Sequence, residues 1–359
     1  MYRQRNTVRK VYNGRLGLDY ELSTKTTLGV LLSTFSNLFI MDAVNYSNIS
    51  INGALDTAIT INNEEEHPIN NYAANLNLFH SFKPDQKLSL NLDYVYYKDA
   101  NLTDYNNNYY NGFGGFMYQT VTQSSKTTPI TFWVGSADYT GKLGKKIDME
   151  AGLKTTYSTF ETDVWLQEKL QSNWVRDANL SAIYHLKENI NAGYITISTQ
   201  LAKKTSAKVG VRYEHTKSNL GSALQKNIVD RKYGNWFPSL FISQTLTENQ
   251  SLNFSFVRRI TRPTFNNMAP FVYFVDPNTF FSGNPALQPS ISNAVKGDYL
   301  LKRFLFSIGY TYETDPITNF APRIDAATNK HILAAENQDN KKSVNLTLSL
   351  SNKITPWWR

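Results

Sequence analysis

The amino-acid sequence predicts an all-β fold, an antiparallel up-and-down transmembrane β-barrel of which about 13 strands are present. Three observations lead there. Apolar and polar residues alternate with period two through most of the chain, the alternating segments are long, and the connections between them are short and long in strict turn. Leu16, Leu18, Tyr20 and Leu22 are interleaved with Arg15, Gly17, Asp19 and Glu21, and Leu88, Leu90, Leu92 and Tyr94 with Ser89, Asn91 and Asp93. Val209, Val211 and Tyr213, and later Val344, Leu346, Leu348 and Leu350, repeat the pattern. No helical period competes with it.

In order, the expected strands cover 10–22, 27–39, 69–82, 87–98, 128–141, 147–162, 188–202, 206–219, 234–246, 250–262, 290–301, 304–315 and 342–352. Most are longer than the five or six residues usual in soluble sheets and reach the ~9–11 residues a tilted membrane strand needs. Short links (TKTT, KPDQ, KLGKK, KTS, TENQ, KR) alternate with long connections over 40–68, 99–127, 163–187, 220–233, 263–289 and 316–341. A barrel in an outer membrane has short periplasmic turns and long external loops, so sorting by length follows from sorting by side. A soluble sandwich or adhesin has no reason to sort its connections in this way.

Composition agrees. Tyr (22) and Phe (20) are abundant, mean hydropathy is −0.42, and no apolar run approaches the ~20 residues of a membrane helix. There are no cysteines, hence neither a disulfide framework nor a thiolate metal site. The start, MYRQRNTVRK, has no apolar stretch after its charges, so an export signal is expected upstream. The net charge of +8 is scattered over short turns, as at Lys142, Lys145 and Lys146, Lys203 and Lys204, and Lys302 and Arg303. Such turns suit a phospholipid headgroup layer, whereas nucleic acid would need a continuous basic groove with stacking aromatics.

Sidedness carries a further expectation. The strand over 10–22 leads into a short turn and so descends from the outside; the last one also descends, and NKITPWWR reads as a turn toward another ascent. Residues 1–359 are therefore expected to be a single partial barrel domain, with strands missing at both ends, and the isolated chain is not expected to form a closed pore.

Two groups of residues carry a family resemblance. FSFVRRITRPTFNNMAPF is followed by FFSGNPALQPS, giving Arg258, Arg259, Arg262 and Pro263 at a strand end and then Gly283, Asn284, Pro285, Leu287 and Pro289 where the chain returns to the rim. Upstream, Glu188, Ile190, Ala192 and Tyr194 precede Gly210, Arg212, Tyr213, Glu214 and Thr216 in a hairpin. These motifs resemble the TonB-dependent receptor β-barrels of Gram-negative outer membranes, over about 188–315. The resemblance implies a barrel of about 22 strands, a lumenal plug that engages TonB, and energised import of a siderophore, cobalamin, glycan or peptide. No segment here matches a plug, so TonB would act through a part outside this chain. A passive porin-like channel remains the alternative.

Candidate sites are few. Tyr109, Tyr110, Phe113 and Phe116 lie in a glycine-rich stretch expected as an external loop, where aromatic faces would stack on a ligand or on the rim. Glu64, Glu65 and Glu66 are a candidate for calcium or a solvated run. His67, His80, His185, His215 and His331 form no i, i+4 pair, and Ser81 points away from His80 on a strand, so neither a metal site, a cofactor nor a hydrolase is expected. Arg258 and Arg259 are adjacent and so face opposite sides of a strand, which places the arginine cluster at the rim, where charge costs least.

Overall fold

A computed structural model describes residues 2–178, 180–268, 272–276, 279–324 and 331–351. The wall begins with six long strands: β1 (Tyr2–Ser23), β2 (Thr26–Ile51), β3 (Ala54–Lys83), β4 (Gln86–Asn111), β5 (Phe116–Leu143) and β6 (Ile147–Leu170). The short β7 (Asn173–Arg176) folds back on β6, and β8 (Ala182–Ala202), β9 (Thr205–Ser222), β10 (Val229–Thr247) and β11 (Gln250–Thr261) continue the wall. After helix α1 (Phe265–Met268) come β12 (Val272–Asp276) and β13 (Thr279–Ser282), then the wall strands β14 (Ser290–Leu301) and β15 (Phe304–Thr314). Next are β16 (Ile317–Ile324), β17 (His331–Asn337) and the last wall strand, β18 (Asn340–Leu350).

Each of the 13 expected strands is found, and neighbours in sequence pair antiparallel from β1 round to β18. Among the described residues the sheet is open: β1 and β18 each pair on one side. The NKITPWWR turn, apart from its preceding strand, lies outside the described residues.

Period two assigns the faces. Leu16, Leu18, Leu76, Leu90, Leu92, Leu346 and Leu348 are exposed together on one side. On the opposite side Asn75 donates to Asp93 (2.6 Å), Asn77 to Asn75 (2.9 Å), and Lys208 meets Glu150 at 3.2 Å. An apolar outside around a polar inside is the signature of a lipid-bathed barrel. Roughly ten residues from the short turns, the length of a membrane strand, the outside becomes aromatic. Tyr94 and Trp133 lie 4.7 Å apart, Tyr213 and Trp236 4.8 Å, and Tyr72 stacks on Tyr96. These rings form the outer interfacial girdle. Inside the span, Gly152 sits between Asp138 and Tyr194 in the ladder, and a Cβ there would lie 2.6 Å from both side chains. The missing side chain lets the Tyr194 hydroxyl cross the strand and donate to Asp138 (2.6 Å).

The structure corrects the expected external loops. The connection 40–68 is a continuous hairpin that turns only at Asn52–Gly53, where φ is 52° and 83°. Likewise 99–127 is a hairpin turning beyond Asn111, and most of 163–187 and 220–233 extends β6, β8, β9 and β10. The 30-residue β3 would reach ~100 Å if straight, several times the apolar band of a membrane barrel. Polar, asparagine-rich outer faces made these segments resemble loops. Their inner faces tell otherwise: above the girdle Ile59, Ile61, Val164, Leu186 and Leu220 are buried on the lumenal side.

That inner face, apolar at these positions and polar at Asn63, Asn101, Thr103 and Asn107, receives the last two long connections. Residues 263–289 and 316–341, also expected as loops, supply α1 and a second sheet in the order β12-β13-β17-β16, with β13 and β17 parallel. Replacing outward Leu90 by Arg should cost about 2–4 kcal/mol in bilayers, whereas lumenal Asn91→Arg should be nearly neutral. Denaturant titration of the reconstituted variants distinguishes the two faces.

Candidate functional site

The second sheet is fixed to the inside of the extended wall at two places. Phe160, Leu186, Leu220 and Val229 are successive neighbours across β6, β8, β9 and β10, forming an apolar row. Phe265 and Met268 of α1 pack on that row, with Phe265 stacked on Phe160 at 5.6 Å. On the other side, Phe280 of β13 packs against Ile59, Ile61 and Tyr105. Apolar contact at both ends holds the sheet across the mouth.

Polar contacts explain the sequence motifs. Arg262 donates to Glu214 (2.6 Å) and Thr216 (3.0 Å), so the strand-end arginine and the upstream hairpin meet on the inner wall. Glu214 is buried and also meets Arg212 at 3.0 Å. Pro263 follows this anchor and leads into α1. Arg259 is exposed and Arg258 half-buried, at neighbouring positions of β11. The return segment is a built-in brace. Asn284 accepts from the Ala286 amide (3.0 Å) and donates to the Ala335 carbonyl (3.1 Å), while Leu287 is buried. Arg231 donates to the carbonyls of Leu287 and Pro285, and Asn337 holds Gln288 through both its amide and its carbonyl. Gly283 lines a cavity, and Pro289 delivers the chain to β14 at Ser290.

Between β3–β5 and the second sheet lies a cavity of about 350 Å³. His67 Nε2 is 2.6 Å from Asp99, Lys126 is 3.9 Å from the same carboxylate and donates to Asn266 of α1 (2.9 Å). Asn101 donates to Glu65 (2.5 Å), and Asn267 donates to Asn319 (2.7 Å). Burial alone would raise the Asp99 carboxyl, but the His67 hydrogen bond and the Lys126 charge hold it below its ordinary value. Burial lowers the Lys126 ammonium, which Asp99 only partly offsets. Phe281, Ser282 and the Leu333–Ala335 segment complete the lining.

A second cavity of about 400 Å³ lies where Phe280 projects, with Asn107, Tyr109, Thr120, Glu168 and Arg176 among its walls. Asn107 is 1% exposed and donates to Thr120 (3.2 Å), but its Oδ1 has no partner among the described residues. A buried acceptor left in that state costs about 1–3 kcal/mol.

The four aromatic candidates do not converge on one site. Tyr109 lines the second cavity and stacks on Tyr118 at 4.4 Å. Tyr110 meets Phe116 edge-on at 5.9 Å, across the register shift that follows the Tyr109–Tyr118 pair. Phe113 is fully exposed at the turn, where Asn111 Oδ1 accepts from the amides of Phe113 and Gly115. Strand alternation also separates Glu65, which faces inward, from exposed Glu64 and Glu66, so the acidic run does not converge on one ion. Asp99, Asn101, Lys126, Asn107 and Arg231 escaped the sequence reading, and His67 entered it only among the histidines without a metal-binding partner. The signal was present in the odd positions Asp99, Asn101, Thr103, Tyr105, Asn107 and Tyr109, which continue the lumenal phase of β4.

The pattern of one protein family, described as the outer membrane protein beta-barrel family, matches residues 80–359, well over half of the chain. The chain belongs to this family. Its place is accordingly the Gram-negative outer membrane, in keeping with the apolar outer face and the girdle. No curated protein sequence matches the chain. Among solved structures, the ferric-catecholate import receptor Fiu from K12 E. coli, in a closed form, matches with a TM-score of 0.52 and 10% identity, over 98% of this chain and 62% of that one. The siderophore receptor PirA from Pseudomonas aeruginosa gives 0.45 and 13% over 97% and 64%, and the ferric preacinetobactin receptor BauA from Acinetobacter baumannii 0.46 and 10% over 98% and 60%. The chain thus spans less than two thirds of each of these receptors, and the likeness to Fiu is one of fold.

Two outcomes follow from the anchors. Arg262→Ala leaves Glu214 with Arg212 alone and should destabilise the wall-to-α1 contact by about 2 kcal/mol or more, read as lost hydrogen-exchange protection at Asn267 and Met268. Asp99 has a depressed folded-state pKa, so its contribution is complete above its unfolded value of about 3.9 and disappears as pH falls through the lower folded value. Protection of α1, corrected for intrinsic exchange, should be flat from neutrality to about pH 5 and fall below about pH 4; Asp99→Asn should remove that acid step.

Proposed function

We propose that this chain forms the wall and outer mouth of an energised outer-membrane receptor that takes up a scarce ligand. The observation that carries the reading is the second sheet, pinned across the lumenal side of the mouth with a cavity beside each of Phe280 and Phe281. A mouth of that kind selects its passenger before admitting it. Passive diffusion calls for an unobstructed lumen, and a sheet braced by Arg231, Asn284 and Asn337 is an obstruction with binding surfaces on it.

In this reading the wall supplies a rigid frame, the second sheet supplies recognition, and a plug outside these residues couples the lumen to TonB. The passenger belongs to the broad class of siderophores, cobalamin, glycans and peptides carried by the barrels that the motifs resemble. Family membership and fold support the frame; the energised step is the proposal.

Uptake by cells expressing the complete receptor gene tests it. With a limiting ligand identified by growth of the deletion strain, accumulation should require the receptor and should stop when a protonophore collapses the inner-membrane proton gradient or when TonB is deleted. Accumulation that persists under both treatments would replace the reading with a passive channel.

A further inference from the structure

We infer that the two cavities beside β13 are subsites for a neutral, polyhydroxylated ligand of the saccharide class. The inference rests on the uptake reading and names its passenger. It begins with Asn107, whose amide nitrogen is committed to Thr120 while its carbonyl oxygen, almost completely buried, has no donor among the described residues. That oxygen belongs to a residue lining a cavity of about 400 Å³. Buried polar atoms are rarely left without a partner, so an unmatched acceptor at a cavity wall calls for a donor from outside the chain. A hydroxyl supplies one.

The apolar parts of the walls fit the same ligand. Phe280 lines this cavity and its sequence neighbour Phe281 lines the other, so successive residues of β13 serve two cavities. Tyr109 and Leu166 add apolar surface to the cavity of about 400 Å³, and Leu333 and Ala334 to that of about 350 Å³. A sugar ring has hydroxyls at its edge and C–H groups on its faces, which match amides and hydroxyls set beside such surface. In the cavity of about 350 Å³ the side-chain oxygens of Asn266 and Asn319 accept from Lys126 and Asn267. Their amide nitrogens have no protein partner among the described residues and are left as donors. Both cavities lie at the small end of the usual ligand range, of a size for one or two rings each.

Charge separates this class from anionic ferric chelates. Lys126 is paired with Asp99, to which His67 is also bound, and in the other cavity Arg176 is accompanied by Glu168 and Asp177. Neither cavity presents an excess of cations. An anionic chelate entering either would lose its hydration without gaining a net opposite charge.

The test uses the complete receptor purified from outer membranes and titrated calorimetrically with malto-, cello-, xylo- and manno-oligosaccharides, and separately with a ferric catecholate and ferric citrate. At least one saccharide series should bind and the chelates should not. Asn107→Leu should weaken that binding about tenfold or more while leaving the melting temperature unchanged or higher, because it removes the unmatched acceptor. Asn266→Ala should weaken it as well, and Phe113→Ala, at the distant turn, should leave it unchanged. The inference is overturned if no saccharide binds, if a chelate binds instead, or if Asn107→Leu raises stability without weakening saccharide binding, which would assign the oxygen to a water. Protonophore-sensitive uptake of a different ligand would remove this inference and leave the receptor reading standing.

Discussion

The constraint on which the rest depends is the unbroken phase of the antiparallel ladder. From Thr57↔Asn111 down to Ser81↔Lys87, β3 and β4 keep one register, and β4 and β5 do so from Lys87↔Thr140 to Tyr109↔Tyr118. Because side chains alternate with period two, a single slip would turn every later residue to the other face. None occurs until the turns. The face chosen inside the bilayer therefore dictates, some twenty residues later, which side chains look into the mouth. The lipid orients the residues that face the mouth without touching them.

What changes along these strands is the solvent on each side. Within the girdle the outer face meets hydrocarbon, so leucines point outward and asparagines inward. Above it the outer face meets water and the inner face meets the second sheet. Apolar residues accordingly change sides while the phase stays fixed: Leu76 and Leu78 lie on one parity of β3, Ile59 and Ile61 on the other. The same backbone is thus a membrane barrel at one end and the jacket of a small water-exposed core at the other.

This inversion explains what could be read from the sequence. All 13 wall strands were legible in the bilayer region, where one face is uniformly apolar, and the short turns were legible because their sequences break that alternation. The extensions were not, because Asn62, Glu64 and Glu66 on a solvated face read as loop, and the compensating Ile59 and Ile61 are too few to dominate a window. Asn52-Gly53 was the missed sign, since an Asn-Gly pair between alternating residues is a strong hairpin signal. The second sheet had no local sign at all. Its strands are four to eight residues long, and the β13–β17 pairing that joins its two halves is remote in sequence. Of the candidate site, the motif residues were found as a pattern, but their physical task, Arg262 on Glu214 and Arg231 on the Pro285 and Leu287 carbonyls, required the third dimension.

The parallel pairing of β13 with β17 has a consequence for how the molecule is made. Thr279–Ser282 meets His331–Ala334 only after the chain has passed through β14 and β15, so the two halves of the sheet are separated by a complete wall hairpin. Parallel contacts over such a distance form late, after local hairpins have been zipped. The expected order is therefore wall strands first, with the pairing of the two outer connections following. A wall whose staves are misplaced offers no surface on which the mouth can close, so the closed mouth reports that the preceding assembly was correct.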